Sequence, residues 1–367
     1  MNKSIWKLGL LVSSVTGALL FAPIACEAQK PTAPQTSKKS EARFGVNIAV
    51  AEFGNDMPGK YGQTYTYPEP SELDYYKAKG RTLIRFPFKW ERMQRTLNGP
   101  LDAAELGYLK AFMKAAGERK MDVILDVHNY GRYLFPNEPV ENMQIIGSDR
   151  LPVAAFADLW TRLAENFKNE PALYGYGLMN EPHDMGDGMR WPRAAQAAID
   201  AIRKVDKKTT IFVSGDAFAS ATSWRNGLNE TINEKISDPQ KNMVFEAHCY
   251  FDKTLEGAYR TTYDQDARTP DSGIEHVRPF VEWCKEKGVR GFIGEFGVPD
   301  NDPRWLVTMD RFLGYLKAND IGGTYWAGGP WWNDYILSIE PKKADATTKG
   351  TALIDRPQML VLQQYAG

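Results

Sequence analysis

Charged, polar and aromatic side chains stand at the ends of apolar, β-rich runs at several places in this 367-residue chain. Arginine, glutamate and histidine are rarely buried without a partner. Their recurrence at the ends of such runs therefore predicts one shared polar site. The residues concerned are Arg85, His128, Asn180, Glu181, His248, Tyr250, Glu295 and Trp326.

Two of these residues, Glu181 and Glu295, suggest the hydrolysis of a glycosidic bond. That reaction needs one carboxylic acid to protonate the leaving oxygen and a second carboxylate to act on the anomeric carbon. A separation of about 5–5.5 Å between the carboxyl groups gives retention of configuration, and about 6.5–9.5 Å gives inversion. Asn180 precedes Glu181 directly, so both side chains reach one site only if the chain bends or bulges there.

Side-chain alternation predicts which residues share a face, because residues two apart along a strand point the same way. Asp126 shares a face with His128, and Glu246 shares a face with His248 and Tyr250. We expect Asp126 and Glu246 to lie deeper in the interior, paired with polar neighbours, rather than to act as catalysts.

Eight short β-rich runs provide the strands that must position these side chains. Several are almost continuously apolar, as expected where both faces of a sheet are covered. The runs are Phe44–Ala49, Thr82–Pro87, Asp122–His128, Leu173–Met179, Thr210–Ser214, Met243–Tyr250, Gly291–Phe296 and Gly323–Trp326.

Helical periodicity separates most of the runs, with Asp102 and Ser272 as expected N-caps and Gly288 as an expected helix end. The stretch 217–235 lacks this periodicity and is expected to be mostly loop. Eight β/α units over residues 43–367 predict a single-domain (β/α)8 TIM barrel. A doubly wound sheet is the alternative. It would normally bring a glycine-rich phosphate loop after the first strand, which NIAVAEFGNDMPGK lacks.

The first 28 residues have the layout of a secretory signal peptide, with two lysines before an apolar stretch and small residues after it. Pro23 and several small polar residues in that stretch argue against the alternative, a retained transmembrane anchor. Cys26 after an alanine hints at a lipoprotein signal, which would anchor the protein at the cell envelope. Residues 29–42 carry no large apolar side chain and predict a flexible tether, which leaves 43–367 as the catalytic domain.

Composition excludes several classes of protein. With 45 basic and 46 acidic residues the net charge is −1, so the chain offers no basic surface for nucleic acid. A charged fraction of 25% excludes wholesale disorder. Three cysteines cannot form a disulfide framework. Cys249 and Cys284 are expected behind the sixth run, as two thiols or as a disulfide.

The motifs RFP, HN, NEPH, AHCY, GEFG and YWAGG occur in this order along the chain. Together they resemble glycoside hydrolase family 5, also called cellulase family A, over essentially the whole chain after residue 42. The segments AHCYFD and GTYWAGGPWW are similar to the bacterial and fungal endo-β-1,4-glucanases of its subfamily 5. The resemblance implies a secreted enzyme that hydrolyses β-glucan or cello-oligosaccharides by double displacement, without a cofactor.

The resemblance also implies roles for individual residues. Glu181 would be the acid/base and Glu295 the nucleophile that forms a glycosyl-enzyme intermediate. Arg85 and Tyr250 would hold Glu295. The positive charge of Arg85 would also keep Glu295 ionised, while burial would raise the pKa of the acid.

The remaining implied contacts are to substrate. Trp331 and Trp332, which follow Gly-Gly-Pro after the eighth run, either stack on sugar rings or close the barrel mouth. The other substrate-binding residues would be Asn180 at the sugar 2-OH, His128 and His248 beside the glutamates, and Trp326 beneath the sugar at the cleavage point.

Other functions stay open. Mannanases, xylanases and β-1,3-1,4-glucanases share most of the same residues, so the preferred polysaccharide is undecided. A metal hydrolase could use His128, His183 and His248, although no HxH or HExxH motif is present. A sugar-binding barrel without catalysis is the non-enzymatic alternative. We expect no metal, no cofactor, no nucleic acid and no protein partner, and a monomer.

Overall fold

Eight parallel strands form a closed barrel in the computed structural model, which describes residues 42–343 and 353–367. Each strand pairs with the next along the chain, and the eighth pairs with the first. This closure confirms the predicted barrel and excludes the doubly wound sheet. The strands are β1 Phe44–Ile48, β2 Leu83–Phe88, β3 Asp122–Val127, β4 Leu173–Gly177, β5 Thr210–Ser214, β6 Met243–His248, β7 Gly291–Phe296 and β8 Gly322–Gly328.

Helices lie between the strands and cover the outside of the barrel. They are α1 Pro70–Ala78, α2 Trp90–Met93, α3 Ala103–Glu118, α4 Val153–Phe167, α5 Arg190–Val205, α6 Ser272–Lys287, α7 Arg304–Ala318 and α8 Pro357–Leu362. Two short antiparallel strand pairs are added, Arg132–Tyr133 with Gln144–Ile145 and Lys342–Lys343 with Leu353–Ile354. In the part of the chain that the structure describes, no helix is long and apolar enough to cross a membrane.

Helix ends follow the sequence closely. The Asp102 side chain accepts hydrogen bonds from the amides of Ala104 and Glu105, as an N-cap does. Gly288 ends α6 in the left-handed conformation that glycine adopts without strain. Ser272 differs from the prediction, since it is the first residue of α6 and the residue before it occupies the cap position.

Three further predictions concern the fifth β/α unit, the two cysteines after residue 42 and the N-terminal segment. After β5 the chain forms turns and a 3₁₀-helix, Gly227–Glu234, in agreement with the expected loop. Cys249 and Cys284 are buried free thiols. The predicted signal peptide and tether, Cys26 among them, lie outside the described residues apart from Ala42, which is buried.

The barrel interior changes from apolar to polar along the strands. Leu83, Ile124, Phe212, Val244 and Phe292 pack together as a separate apolar cluster that fills the base. The next inward positions on three of these strands, two residues further on, are polar and buried: Arg85, Asp126 and Glu246. Because the base is filled, polar chemistry is confined to the C-terminal end of the barrel, where the active sites of such barrels lie.

Candidate active site

The chain after β4 turns sharply, and this turn brings two consecutive residues into one site. Asn180 is held by backbone hydrogen bonds from its amide to Val127 and from the Tyr130 amide to its carbonyl. Glu181 has a φ of 43°, a left-handed conformation that is uncommon outside glycine. The bend expected from the adjacency of Asn180 and Glu181 is therefore present, and backbone outliers of this kind cluster at functional sites.

An irregularity in β7 directs Glu295 inward. Ile293 pairs with Ala247 of β6, but Glu295 rather than Gly294 pairs with His248, so β7 carries one extra residue. Strict alternation from Phe292 points Gly294 into the barrel, and the extra residue turns Glu295 to the same side. Gly294 has no room for a side chain, since a Cβ atom there would lie 2.4 Å from the Glu246 carboxylate.

Arg85 joins most of the site together. Its fully buried guanidinium donates to Glu295 Oε1 at 3.2 Å, to Glu246 Oε1 at 2.9 Å and to Asn180 Oδ1 at 2.8 Å. It also donates to Asn47 Oδ1 at 3.0 Å and lies 3.2 Å from Asp126 Oδ2. The prediction that Asp126 and Glu246 are deeper, paired groups agrees with these contacts.

The two glutamates face each other across the barrel mouth. One oxygen of Glu181 and one oxygen of Glu295 lie within 4.8 Å of each other. Tyr250 donates from its hydroxyl to Glu295 Oε2 at 2.7 Å. An oxygen pair this close is below the range of about 6.5–9.5 Å at which two carboxyl groups leave room for a water between them, so the geometry favours retention.

His248 lies between the carboxylates and is charged. Its Nδ1 is 2.6 Å from Glu181 Oε1 and 3.6 Å from Glu295 Oε2, while its Nε2 is 3.3 Å from Glu246 Oε1. Since both ring nitrogens face acceptors, both carry protons. Burial opposes this charge, but the neighbouring Glu295 and Glu181 raise the pKa of His248 to about 10.

His128 has the opposite protonation state. Its Nδ1 donates to Asp126 Oδ2 at 2.8 Å, and its Nε2 lies 3.2 Å from the Tyr130 hydroxyl, which donates to it. Burial together with the charges of Lys89 and Arg85 holds the pKa of His128 well below its usual value, so the ring is neutral.

The ionisation of Glu295 differs from the expectation. Burial raises the pKa of Glu295 to about 7, although His248 and Arg85 act in the opposite direction. Arg85 lowers this pKa less than expected because its single charge is shared among three buried carboxyl groups, those of Asp126, Glu246 and Glu295.

Aromatic residues of β8 and its loop line one side of the site. Trp326 is partly exposed and lies parallel to the His128 ring, with 5.5 Å between the ring centres. The Trp332 indole donates to the Ala49 carbonyl at 2.8 Å and packs edge-on against Trp326. Trp332 thus ties the β8 loop to β1, while Trp331 is partly exposed beside Phe53.

The opposite side of the site carries an aromatic residue that the sequence did not single out. Phe218, in the loop after β5, is 48% exposed and stacks on His183 with 3.9 Å between the ring centres. Ala217, Phe218 and Ala219 all have left-handed φ values, which is strained for residues other than glycine. The amino-acid types of these three residues give no sign of this conformation. Asn47 was also not predicted as a site residue, although it is the one polar residue of β1.

The structure does not bring His128, His183 and His248 together. Among the described residues, Glu181, His248 and Glu295 are the one group whose potential ligand atoms lie close enough to hold a metal ion. Both ring nitrogens of His248 already contact carboxylates, Nδ1 that of Glu181 at 2.6 Å and Nε2 that of Glu246 at 3.3 Å, so a metal ion there would have to displace one of these contacts.

A closed (β/α)8 barrel with two glutamates facing each other at its mouth defines a glycoside hydrolase of the retaining class. The family model of cellulase, glycosyl hydrolase family 5, matches residues 41–333. The chain belongs to glycoside hydrolase family 5, the cellulase family.

Individual relatives match over most of their length. The chain is 32% identical to a probable endo-beta-1,4-glucanase B of Aspergillus oryzae, covering 98% of each chain. It is 42% identical to the solved Pseudomonas stutzeri endoglucanase Cel5A, with a TM-score of 0.79 over 89% of this chain and 94% of that one. The endo-beta-1,4-glucanase Xac0029 from Xanthomonas axonopodis pv. citri is 35% identical, with a TM-score of 0.78 over 89% and 98%.

Proposed function

We propose that this protein is a retaining endo-β-1,4-glucanase in which Glu181 is the acid/base and Glu295 the nucleophile. The observation that carries the proposal is the approach of one oxygen of Glu181 to within 4.8 Å of one oxygen of Glu295, in a barrel of the cellulase family. His248 contacts both groups, and Tyr250 and Arg85 each donate a hydrogen bond to Glu295.

The first displacement forms a covalent intermediate. Protonated Glu181 donates its proton to the glycosidic oxygen as the bond to the anomeric carbon breaks, and the leaving chain departs as an alcohol. The Glu295 carboxylate attacks the same carbon from the opposite face and forms an α-linked glycosyl ester. The Tyr250 hydroxyl, at 2.7 Å from Oε2, fixes the orientation of the attacking group.

The second displacement reverses these roles. Glu181, now a carboxylate, takes a proton from water, and the resulting hydroxide attacks the anomeric carbon as the ester bond to Glu295 breaks. Two inversions give a product in the β configuration. Glu295 is released as a carboxylate, and Glu181 is protonated again for the next cycle.

Asn180 supports the transition state through a contact to the sugar. Its Oδ1 accepts from Arg85, which fixes the orientation of the amide, and its Nδ2 is buried without a partner in the described chain. A buried donor without a partner costs about 1–3 kcal/mol, so its position here supports a ligand acceptor. The sugar 2-OH is the acceptor that lies beside the nucleophile, and hydrogen bonds to it strengthen in the transition state.

β-1,4-Glucan is the proposed substrate. The Aspergillus oryzae relative is a probable endo-beta-1,4-glucanase B, and the structure of Pseudomonas stutzeri Cel5A was also solved with cellobiose. Export through the signal at 1–28, the lipid anchor at Cys26 and a monomeric state belong to the same proposal.

A substrate panel tests the proposal. Purified protein is incubated with carboxymethylcellulose, barley glucan, mannan and xylan, and reducing ends are measured over time. We expect the highest kcat/KM on the two glucans, with a rapid fall in the viscosity of carboxymethylcellulose, as internal cleavage requires. A higher rate of reducing-end release from mannan or xylan would show that this polysaccharide, and not β-1,4-glucan, is the substrate. Hydrolysis of none of the four would refute the function.

A further inference from the structure

The carboxyl group of Glu52 and the amino group of Lys89 stand on neighbouring segments at the barrel mouth and take no part in either displacement. A parallel bridge joins Ala51 to Phe88, above the paired part of β1 and β2. Glu52 and Lys89 are the following residues of these two segments, so they are neighbours across the same pair of strands. Glu52 is only 7% exposed, and Lys89 is half-buried.

The Glu52 carboxyl group is incompletely bonded. Its Oε2 is buried and has no hydrogen-bond partner in the described chain. Burial raises the pKa of Glu52 to about 8, in spite of the nearby charges of Lys89 and Arg92. Since an unpartnered buried oxygen is unfavourable, one that persists beside a substrate site indicates a group that a ligand completes.

The Lys89 amino group has more N–H donors than its hydrogen bond to His128 uses. Its Nζ donates to the His128 carbonyl at 2.7 Å and lies 5.4 Å from the centre of the Tyr130 ring. An ammonium has three protons, so the bond to His128 leaves others for a ligand. The ring of His128 in turn lies parallel to Trp326, so Lys89 contacts a residue that packs against the proposed sugar platform.

The position in the barrel decides which part of the substrate reaches this pair. The leaving oxygen must meet Glu181 after β4, so the departing chain extends toward β4 and β5. Trp326 lies on β8, on the other side of the site, and Phe53, the residue after Glu52, packs edge-on against Trp332 of the same wall. The sugars that stay attached to Glu295 therefore extend toward β8, β1 and β2.

We propose that Glu52 and Lys89 form the subsite for the glucosyl residue that precedes the attacked one, and that they bind its neighbouring hydroxyls O2 and O3. The inference rests on the proposed function. In a glucosyl residue both hydroxyls are equatorial and point outward together, so a carboxyl oxygen accepts from one while the ammonium donates to the other. In a mannosyl residue O2 is axial and turns away, so the pair selects glucan over mannan.

Two labelling reagents separate this subsite from the reacting centre. 2-Deoxy-2-fluoro-β-glucosyl fluoride fills only the subsite of the attacked sugar, and the matching cellobiosyl fluoride fills the preceding subsite as well. Labelling of Glu295 is followed by mass spectrometry for the unaltered chain, Glu52→Met and Lys89→Met. Lys114→Met, at an exposed position on α3, is the control.

We expect the cellobiosyl reagent to lose about 10-fold of its second-order rate in each variant, as for the loss of one hydrogen bond in a buried site. The glucosyl reagent should change far less, and the ratio of kcat/KM for aryl cellobioside over aryl mannobioside should fall. An unchanged cellobiosyl rate in Glu52→Met, which is similar in size but cannot accept the hydrogen bond, would overturn the proposal, as would equal losses for both reagents. If the unaltered chain cleaves no cello-oligosaccharide and neither reagent labels it, the proposed function itself fails.

Discussion

Nδ1 of His248 lies 2.6 Å from Oε1 of Glu181, and this contact orients the carboxyl group proposed as the acid/base. A charged imidazole that donates to Oε1 leaves the other oxygen of Glu181 for the glycosidic oxygen and later for water. The same ring lies 3.6 Å from Glu295, so one histidine fixes the relative position of both glutamates. Each role in the reaction can be tested separately.

Replacement of the acid/base should give a distinctive chemical result. In Glu181→Ala, kcat on cellotetraose should fall by about 10²–10⁴-fold, because proton transfer to the leaving group and from water is lost. Azide should restore turnover of an aryl cellobioside and yield β-cellobiosyl azide, which NMR identifies. Glu118→Ala, at an exposed position of α3, is the matched control and should behave like the unaltered chain. Formation of the α-azide instead would assign Glu181 the role of nucleophile.

Arg85 should be needed for both activity and stability. Arg85→Lys keeps the charge but cannot bridge Glu295, Glu246 and Asn180 together, so a buried network is broken. We expect kcat to fall by about 10²-fold or more with the nucleophile misplaced. Stability to urea should fall by about 3–5 kcal/mol, as for buried pairs that lose a partner. Lys at this position with undiminished kcat would show that Glu295 does not depend on the guanidinium.

The pH dependence should follow Glu295. Only the ionised carboxylate attacks, and burial raises the pKa of Glu295 to about 7, so kcat/KM should rise as pH increases through an apparent pKa above the ordinary value of 4.5. The Tyr250 hydroxyl lowers this pKa by its hydrogen bond. Tyr250→Phe should therefore move the acid limb to higher pH, and Tyr365→Phe, far from the site, should leave it in place. A move of the acid limb to lower pH in Tyr250→Phe would contradict the assignment.

Phe218 should affect long substrates more than short ones. Its exposed ring next to His183 offers a stacking surface on the side of the departing chain. Phe218→Ala should raise KM for cellopentaose by about 3–10-fold, as expected for the loss of one aromatic contact. An aryl cellobioside, which has no sugar on that side, serves as the internal control and should change little. Equal losses on both substrates would show that Phe218 stabilises the loop rather than binding the chain.

The strands and most site residues could be predicted from the sequence because the information is local. A β-rich run that ends in Arg85 or His128 is visible without a structure, and alternation placed Asp126 and Glu246 below the site. Asn180 and Glu181 already implied a bend, since their adjacency conflicts with a regular strand.

What could not be predicted depends on neighbours far apart in the chain. The extra residue of β7 that directs Glu295 inward is defined by its register with β6. The raised pKa of Glu295 follows from the sharing of Arg85 among three carboxyl groups, which only the folded barrel brings together. The strained loop that exposes Phe218 consists of residues with no conformational signature of their own.

The configuration of the first product tests the central claim most directly. Cellotetraose is hydrolysed in a concentrated enzyme solution, and the anomeric protons of the new reducing ends are followed by NMR before mutarotation. The two-glutamate double displacement predicts that the β-anomer appears first and that the α-anomer grows later. Initial release of the α-anomer would contradict the roles of Glu181 and Glu295 proposed for this barrel.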